Sequence, residues 1–336
     1  MPDTDEVLPD LDLPGVHRLQ VPTPFAVGPV NTYLLEGDPL TLIDSGPNLA
    51  TCLVALEAGL KDHGYAFEDL ELLFVTHQHV DHLGLTRILA ERCDAEVVCL
   101  DRAAGVIGSW GERAADDDKY AGRVMLRHGI EEPVVVALRS LAAIVRSLGA
   151  SAPVTRTLEE HELVTMGGRS LEVLHHPGHS PSDTLLFDAS DGTLVAGDHL
   201  LSKISSNALL TRPLDAEGEE DGPRATPLID YRRSLLATRA LDAHLVLGGH
   251  GPEITDHRPL IDARIADQDR RAEKLLDLLR VRPMSAHELA TTLWERVAIT
   301  QAFLTLSEVL GHLDLLIADG AALEDDSGDV IVFEAA

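Results

Sequence analysis

Residues 76–82 read Thr76-His77-Gln78-His79-Val80-Asp81-His82, directly after the apolar run Leu72, Leu73, Phe74, Val75. Imidazole and carboxylate are the donors that suit zinc, iron and manganese, and donors at the end of a short buried strand are held in place rather than solvated at random. In an extended segment positions i and i+2 share a face, so His77 and His79 can converge on one cation. Asp81 and His82 follow as the chain turns, with Gly84 close behind, and can reach a second cation beside the first. A loop that is His-rich by chance would rarely combine these ligand types with this spacing after a strand.

The run is similar to the His-x-His-x-Asp-His motif of the metallo-β-lactamase superfamily, binuclear hydrolases built as an αββα sandwich. The resemblance continues in order along the chain. His175-His176-Pro177-Gly178-His179 is similar to the family's Pro-Gly-His turn, Gly197-Asp198 to its Gly-Asp pair, and Gly248-Gly249-His250-Gly251 to the turn bearing its last histidine. Each follows an apolar run, Leu171 to Leu174, Thr193 to Ala196 and Leu245 to Leu247, whose strand end would hold the ligand rigidly. The resemblance implies one metal on His77, His79 and His179, another on Asp81, His82 and His250, and Asp198 as a bridge. It also implies that Asp44, in Leu42-Ile43-Asp44-Ser45-Gly46, orients a ligand by hydrogen bonding; the other reading of Asp44 is an ordinary Asx turn into the next helix. His175, His176 and His199 have no place in that ligand set and read as packing residues or hydrogen-bond partners.

Two divalent cations, zinc first with iron or manganese as alternatives, would share a hydroxide, because metal binding lowers the pKa of water from about 16 to about 7. The resemblance therefore implies a metal-dependent hydrolase with Asp81 and Asp198 as catalytic carboxylates, Asp81 also accepting or relaying a proton. A small ester, thioester or lactone is the expected substrate, as in relatives similar to hydroxyacylglutathione hydrolase. The alternatives are a phosphodiesterase or endoribonuclease of the same superfamily, then an iron-dependent sulfur dioxygenase. True β-lactamases match less well, since no cysteine stands near Asp198. No serine nucleophile elbow, phosphate-cradling glycine loop or dinucleotide fingerprint competes.

At 336 residues, 45% apolar and 25% charged, the chain has the composition of a soluble globular protein with room for two domains. Its net charge of −29 repels polyphosphate backbones, so a small molecule is the expected partner and nucleic acid is disfavoured. Cys52, Cys93 and Cys99 form no Cys-x-x-Cys pair and read as buried thiols of a reducing compartment. Met1 to Glu6 carries neither a basic start nor an apolar span, so a cytoplasmic protein without membrane contact is expected.

The elements that must position these groups follow an α/β pattern. Val30 to Glu36 and Leu40 to Ile43 read as strands around Gly37-Asp38-Pro39. A helix follows from near Asn48 to Gly64, with Leu49, Leu53, Leu56 and Leu60 on one face. Leu72 to Thr76 is the metal strand, Leu83 to Arg92 a helix and Glu96 to Leu100 the next strand. Residues 105–150 interrupt the rhythm with a helical insertion. After Pro133, Val134, Val135, Leu138, Leu141, Ile144, Val145 and Leu148 form an apolar stripe that predicts a packed hairpin. Its place in the sequence also makes it a candidate wall of the site, with Trp110, Tyr120, Met125 and Arg127 as lining residues. Leu201 to Tyr231 reads as irregular. Lys203, Ser205, Ser206, Asn207 and Arg212 are candidates for the cleft there, and Lys203 and Arg212 for holding an anionic substrate group; an exposed loop with scattered charges is the alternative.

A boundary is expected at 256/257, after a catalytic domain of residues 1–256. Beyond it, helices over Leu260 to Leu279, Ser285 to Leu293 with a serine cap and Ala298 to Leu315, then strands Ala322 to Glu324 and Val330 to Glu334, resemble a small winged-helix domain. Residues 257–336 hold eight basic and fifteen acidic residues, and Glu324, Asp325, Asp326 and Asp329 sit on the wing itself. Like charge against phosphates makes a packing or dimerising module, hence a homodimer, the better expectation than nucleic-acid binding.

Overall fold

The computed structural model describes residues 8–215 and 224–336, so Met1 to Glu6 and the middle of the acidic loop before Tyr231 lie outside the described residues. Two sheets pack face to face. The first has the order β1-β2-β3-β4-β5-β6, from Val16–Val21, Val30–Leu35, Thr41–Ile43, Leu72–Phe74, Glu96–Leu100 and Arg156–Leu158. Its β1, β2 and β3 pair antiparallel, whereas β3 to β6 run parallel. The second sheet has the order β11-β10-β9-β8-β7. These strands are β7 (Leu163–Met166), β8 (Arg169–His175), β9 (Thr184–Asp188), β10 (Thr193–Gly197) and β11 (Leu245–Gly248), with only β10 and β11 parallel.

Side chains alternate across a strand, and the second sheet uses both faces. Leu171 and Val173 of β8, Leu186 of β9 and Val195 of β10 enter the core between the sheets. Leu174, Leu185, Phe187, Leu194 and Ala196 enter a separate outer core, where α7 (Pro227–Ala240) and α8 (His257–Leu279) cover them with Leu228, Tyr231, Leu235 and Ile261. Apolar residues on both faces are what a sheet covered on both sides requires. On the first sheet the cover includes α1 (Ala50–Asp62), through Cys52, Leu56 and Leu60. The αββα expectation therefore holds. The helix expected from Leu83 to Arg92 is instead two, α2 (Val80–Leu83) and α3 (Thr86–Cys93). Between them Gly84 passes so close to the chain that a Cβ would lie 2.5 Å from the Asn48 nitrogen. Tyr231, read as the end of an irregular stretch, is helical, because Pro227 suits the first turn of α7.

The insertion comprises α4 (Asp101–Gly108), α5 (Trp110–Arg127) and α6 (Glu132–Arg146). Its stripe is not a packed face along its whole length. Val135 is buried and Val134 and Leu138 half-buried, but Leu141 and Ile144 are 57% and 64% exposed: at its end α6 meets α5 through Arg146, which faces Trp110 and Asp118, and not through this stripe. The four residues expected at the mouth of the site also have other duties. Trp110 is buried against Gly149, Tyr120 and Met125 join a third core, and the Arg127 guanidinium donates to Gly328 O at 2.6 Å and Asp329 O at 2.9 Å.

That third core belongs to the C-terminal segment as well. After α8 come β12 (Met284–Ser285), α9 (Ala286–Trp294), α10 (Val297–Thr300), α11 (Ala302–Ala318), β13 (Ala322–Asp325) and β14 (Val332–Ala335), with a small sheet of order β12-β14-β13. Ser285 caps α9 reciprocally: its Oγ accepts from Glu288 N at 3.2 Å and its N donates to the Glu288 carboxylate at 2.8 Å. Leu275, Leu306, Leu310, Leu313 and Phe333 pack with Tyr120, Val124, Met125 and Val135 of the insertion. Helix α8 serves two cores, with Ile261 on the second sheet and Leu275 in the C-terminal packing. Apolar packing is thus continuous across position 256. Among the described residues no helix is long and apolar enough to cross a membrane.

Phe333 is fully buried in this shared core. Phe333→Ala should cost about 3–5 kcal/mol by the usual penalty for a large cavity. Urea unfolding should show the loss, and limited proteolysis should then cut within α5 and α6 as well as after 257. Cleavage confined to the C-terminal segment would show that the two parts are independent.

Candidate metal centre

Parallel pairing brings strand ends together. Asp44 follows β3 and His77 follows the neighbouring β4, while Asp198 and His250 follow the adjacent β10 and β11. The turn after β8 adds His179, and the start of α2 adds Asp81 and His82. His79 Nδ1 lies 3.0 Å from His77 Nε2 and 2.9 Å from His179 Nε2. His250 Nε2 stands 3.4 Å from Asp81 and 3.5 Å from Asp198 Oδ2; Asp198 is also 3.4 Å from His82 Nε2 and 3.6 Å from His179 Nε2. Three sets of donor atoms lie within 4.8 Å of one another: His77, His79, His179; His77, His82, Asp198; and Asp81, His82, His250. All are buried except His79, which is half-buried.

The nitrogen each imidazole presents is set by what its other nitrogen does. His179 Nδ1 faces Asn207 O at 3.0 Å and His250 Nδ1 faces Pro29 O at 2.8 Å; a carbonyl only accepts, so both Nδ1 atoms carry the proton. His82 Nδ1 donates to Asp44 Oδ2 at 2.7 Å. The Thr76 hydroxyl donates to Asp44 Oδ2 at 2.8 Å, so it is left to accept from His77 Nδ1 at 3.0 Å. Four rings are therefore turned so that Nε2 points inward. Two of them, on His77 and His179, aim lone pairs at the one Nδ1 of His79, which has at most one proton for them. His82 Nε2, His250 Nε2 and Asp198 Oδ1 are buried with no hydrogen-bond partner among the described residues. Converging lone pairs and buried orphan atoms are costly together, and a cation satisfies them; the donor set fits divalent metal.

The surroundings hold this arrangement. Asp44, at φ 59°, spends its carboxylate on Thr76 N at 2.9 Å, the Thr76 hydroxyl and His82, and so orients two rings rather than capping its own turn. Asn31 and Tyr33 of β2 donate to Gly248 O at 3.0 Å and 2.7 Å, tying the His250 turn of one sheet to the other. Gly249 is needed for room: a Cβ there would lie 2.3 Å from Asp198 Oδ1 and 2.7 Å from His82 Cε1.

Charge divides the site in two. Burial and the imidazoles of His82 and His79 hold His77 well below the ordinary histidine value, and burial with His179 lowers His79 to about 3. Burial also opposes charge on His82 and His250, but Asp44 and Asp198 outweigh it and raise His82 well above the ordinary value, while Asp198 and Asp81 raise His250 to about 10. Asp198 and Asp81 are buried too, yet His250 and His82 keep both below the usual carboxylate value.

Other candidates fall around this centre. His176 Nδ1 and His199 Nε2 each lie 2.8 Å from the Thr238 hydroxyl, beneath the site, and His175 Nε2 is 2.9 Å from Pro181 O. Lys203 and Ser205 are exposed. Ser206 bonds Asp198 O, and Arg212 is buried with Nη1 3.9 Å from Asp116 and 4.0 Å from Asp117 of α5. Asn207 has a role that sequence patterning did not show. Its carbonyl holds His179, its side chain donates to Leu304 O of α11 at 3.2 Å, and Leu210 N donates to Ser307 Oγ at 3.3 Å. Residues 206–210 are thus a strap from the metal donors to the C-terminal helix. Backbone carbonyls carry no residue-type signal, so Pro29 and Asn207 were not legible as ring holders.

A family model described as the metallo-beta-lactamase superfamily matches residues 26–250. The chain is 35% identical over 322 residues to the "Probable metallo-hydrolase YqjP" of Bacillus subtilis, covering 95% of this chain and 97% of that protein. It is similar to the crystal structure of a metallo-beta-lactamase family protein from Thermus thermophilus, at 29% identity and a TM-score of 0.79 over 96% of this chain and 99% of that one. A beta-lactamase domain protein from Burkholderia ambifaria gives 29% identity and a TM-score of 0.82, over 99% of this chain and 97% of the other. Coverage at that level takes in residues 257–336, so the C-terminal segment is part of the shared architecture.

The split in charge gives a test. His82 and His250, both raised, must lose protons to accept a cation, so affinity for the Asp81, His82, His250 group should rise with pH toward about 10. His77 and His79, both lowered, have no proton to lose at neutral pH. Zinc titration calorimetry at pH 7, in buffers of different ionisation heat, should show little proton release for the tighter equivalent and marked release for the weaker. Asp44→Asn, which keeps a residue that tolerates positive φ, should weaken the second equivalent about 10–100-fold. Equal release for both equivalents would contradict the assignment.

Proposed function

Because this chain belongs to the metallo-β-lactamase superfamily, we propose that it is a binuclear hydrolase of a small ester, thioester or lactone, with zinc as its metal. The observation that carries the proposal is the position of Asp198, whose two oxygens lie within 3.6 Å of histidines from both donor groups. His77, His79 and His179 would hold one cation, Asp81, His82 and His250 the other, and Asp198 both. Bound cations supply a water ionisable near neutral pH and polarise the electrophile's oxygen. The chain's own contribution is orientation. Asn207 O, Pro29 O, Thr76 and Asp44 fix four rings, and Asp81 and Asp198 remain ionised to ligate or to take a proton.

The net charge of −29 and the acidic hairpin of β13 and β14 favour a small substrate over a nucleic acid. Arg212, buried close to the segment that holds His179, supports an anionic group on that substrate. The helix, strand, three helices and hairpin order of residues 257–336 supports a winged-helix-like module used for packing, and the free thiols Cys52, Cys93 and Cys99 support a reducing, cytoplasmic setting.

Zinc-loaded protein should hydrolyse members of a panel of neutral esters, thioesters and lactones without oxygen uptake, and chelation should abolish turnover. His79→Ala and Asp81→Ala should each lower kcat/KM by about 10³-fold or more, the equivalent of several kcal/mol of lost metal assistance, while the fold is kept. Oxygen consumption with a persulfide would overturn hydrolysis. Cleavage of structured RNA with no small-molecule turnover would move the chain to the nuclease branch.

A further inference from the structure

Beside the metal donors lies a cavity of about 730 Å³, within the usual range for small-molecule sites. One wall is the turn that bears His179, through Pro177, Gly178 and Ser180. The lining also carries Arg102, Arg212 and Arg224, so three of the chain's 27 basic residues meet in one hollow of a protein with a net charge of −29. The N-terminus of the 14-residue helix α7 opens into the same space through Thr226 and Pro227, and among the described residues Thr226 makes no side-chain cap bond. Asp215 and Asp230 also line the cavity; Asp230 accepts from Arg233 at 2.9 Å.

Two of the guanidiniums are held from behind. Arg224 is paired in fork geometry with Asp314 of α11, its Nη1 2.8 Å from Oδ2, and Arg212 stands near Asp116 and Asp117 of α5. Arg102, just past the end of β5, is exposed, and no hydrogen bond or ion pair to its guanidinium is found among the described residues. Cations fixed by acids outside a cavity, a third that can close on a ligand, and a helix N-terminus are together an anion site. They supply more donors than the two oxygens of a carboxylate need.

We propose that this cavity is a subsite for a phosphoryl group carried by the substrate at a distance from the bond that is cleaved. The inference rests on the hydrolase reading and narrows it to phosphorylated small molecules, bound partly by Arg102 of the insertion, the loop after β10 and the N-terminus of α7. It also gives the shared core a use, since α5 and α11 both carry the acids that hold the arginines.

The test separates this subsite from the metals. Inorganic phosphate is titrated by calorimetry into zinc-loaded wild-type protein, Arg102→Ala, Arg102→Lys and His79→Ala. The expected result is a phosphate site weakened about tenfold or more by Arg102→Ala, less by Arg102→Lys, and retained in His79→Ala, because one charge-assisted contact is lost only in the arginine variants. No binding to wild type, or affinity lost in His79→Ala, whether or not Arg102→Ala also weakens it, overturns the subsite. Turnover of a neutral ester by wild type, measured separately, reports on the hydrolase reading alone. Turnover without phosphate binding sinks only the subsite, and phosphate binding without any ester turnover sinks the hydrolase on which it rests.

Discussion

Buried imidazoles whose lone pairs converge on one another are the constraint around which the structure is arranged. A ring nitrogen facing another ring's lone pair has nothing to gain unless a proton or a cation lies between them, and in a dry interior the cost of leaving it bare is high. The protein nevertheless turns four rings inward by engaging Nδ1 elsewhere, on Asn207 O, Pro29 O, Thr76 and Asp44. The folding energy of two well-packed sheets holds together groups that would otherwise swing into solvent. A rigid set of donors of this kind is what allows metal to bind in one geometry.

The same constraint accounts for features that look unrelated to it. Both sheets must end at one place, and Asn31 and Tyr33 fasten the His250 turn to the first sheet for that reason. Gly249 leaves space for Asp198 and His82. The 206–210 strap runs from Asp198 and His179 to α11, and α11 shares a core with the insertion. A C-terminal segment that reads as an appended domain is therefore mechanically joined to the metal donors, which explains why packing does not stop at residue 256.

The ligand types were legible where chemistry and spacing coincide. His77, His79, Asp81 and His82 announce themselves because four donors follow one apolar strand. His179, Asp198 and His250 are separated by up to 173 positions from that run and were legible only through resemblance to a family. Strands over Val30 to Glu36 and Glu96 to Leu100 showed in their apolar runs; β6 and β7 are only three and four residues long, and in β1 His17, Arg18 and Gln20 interrupt the apolar residues. Periodicity placed α6 correctly and misjudged its face, since a stripe says which residues are alike and nothing about what covers them; Leu141 and Ile144 are exposed. The arginines of the cavity, at 102, 212 and 224, meet only in three dimensions, and of the three only Arg212 stands close in sequence to the donor Asp198.

Ring orientation at the metal centre is reported most directly by long-range proton–nitrogen correlation spectra of the zinc-loaded, nitrogen-15-labelled protein. The result expected is a single fixed tautomer for each ligand ring: His77, His82, His179 and His250 protonated at Nδ1 and bound through Nε2, and His79 protonated at Nε2 and bound through Nδ1. Spectra in which His79 keeps its Nδ1 proton, or in which these rings average between tautomers with zinc present, would contradict it.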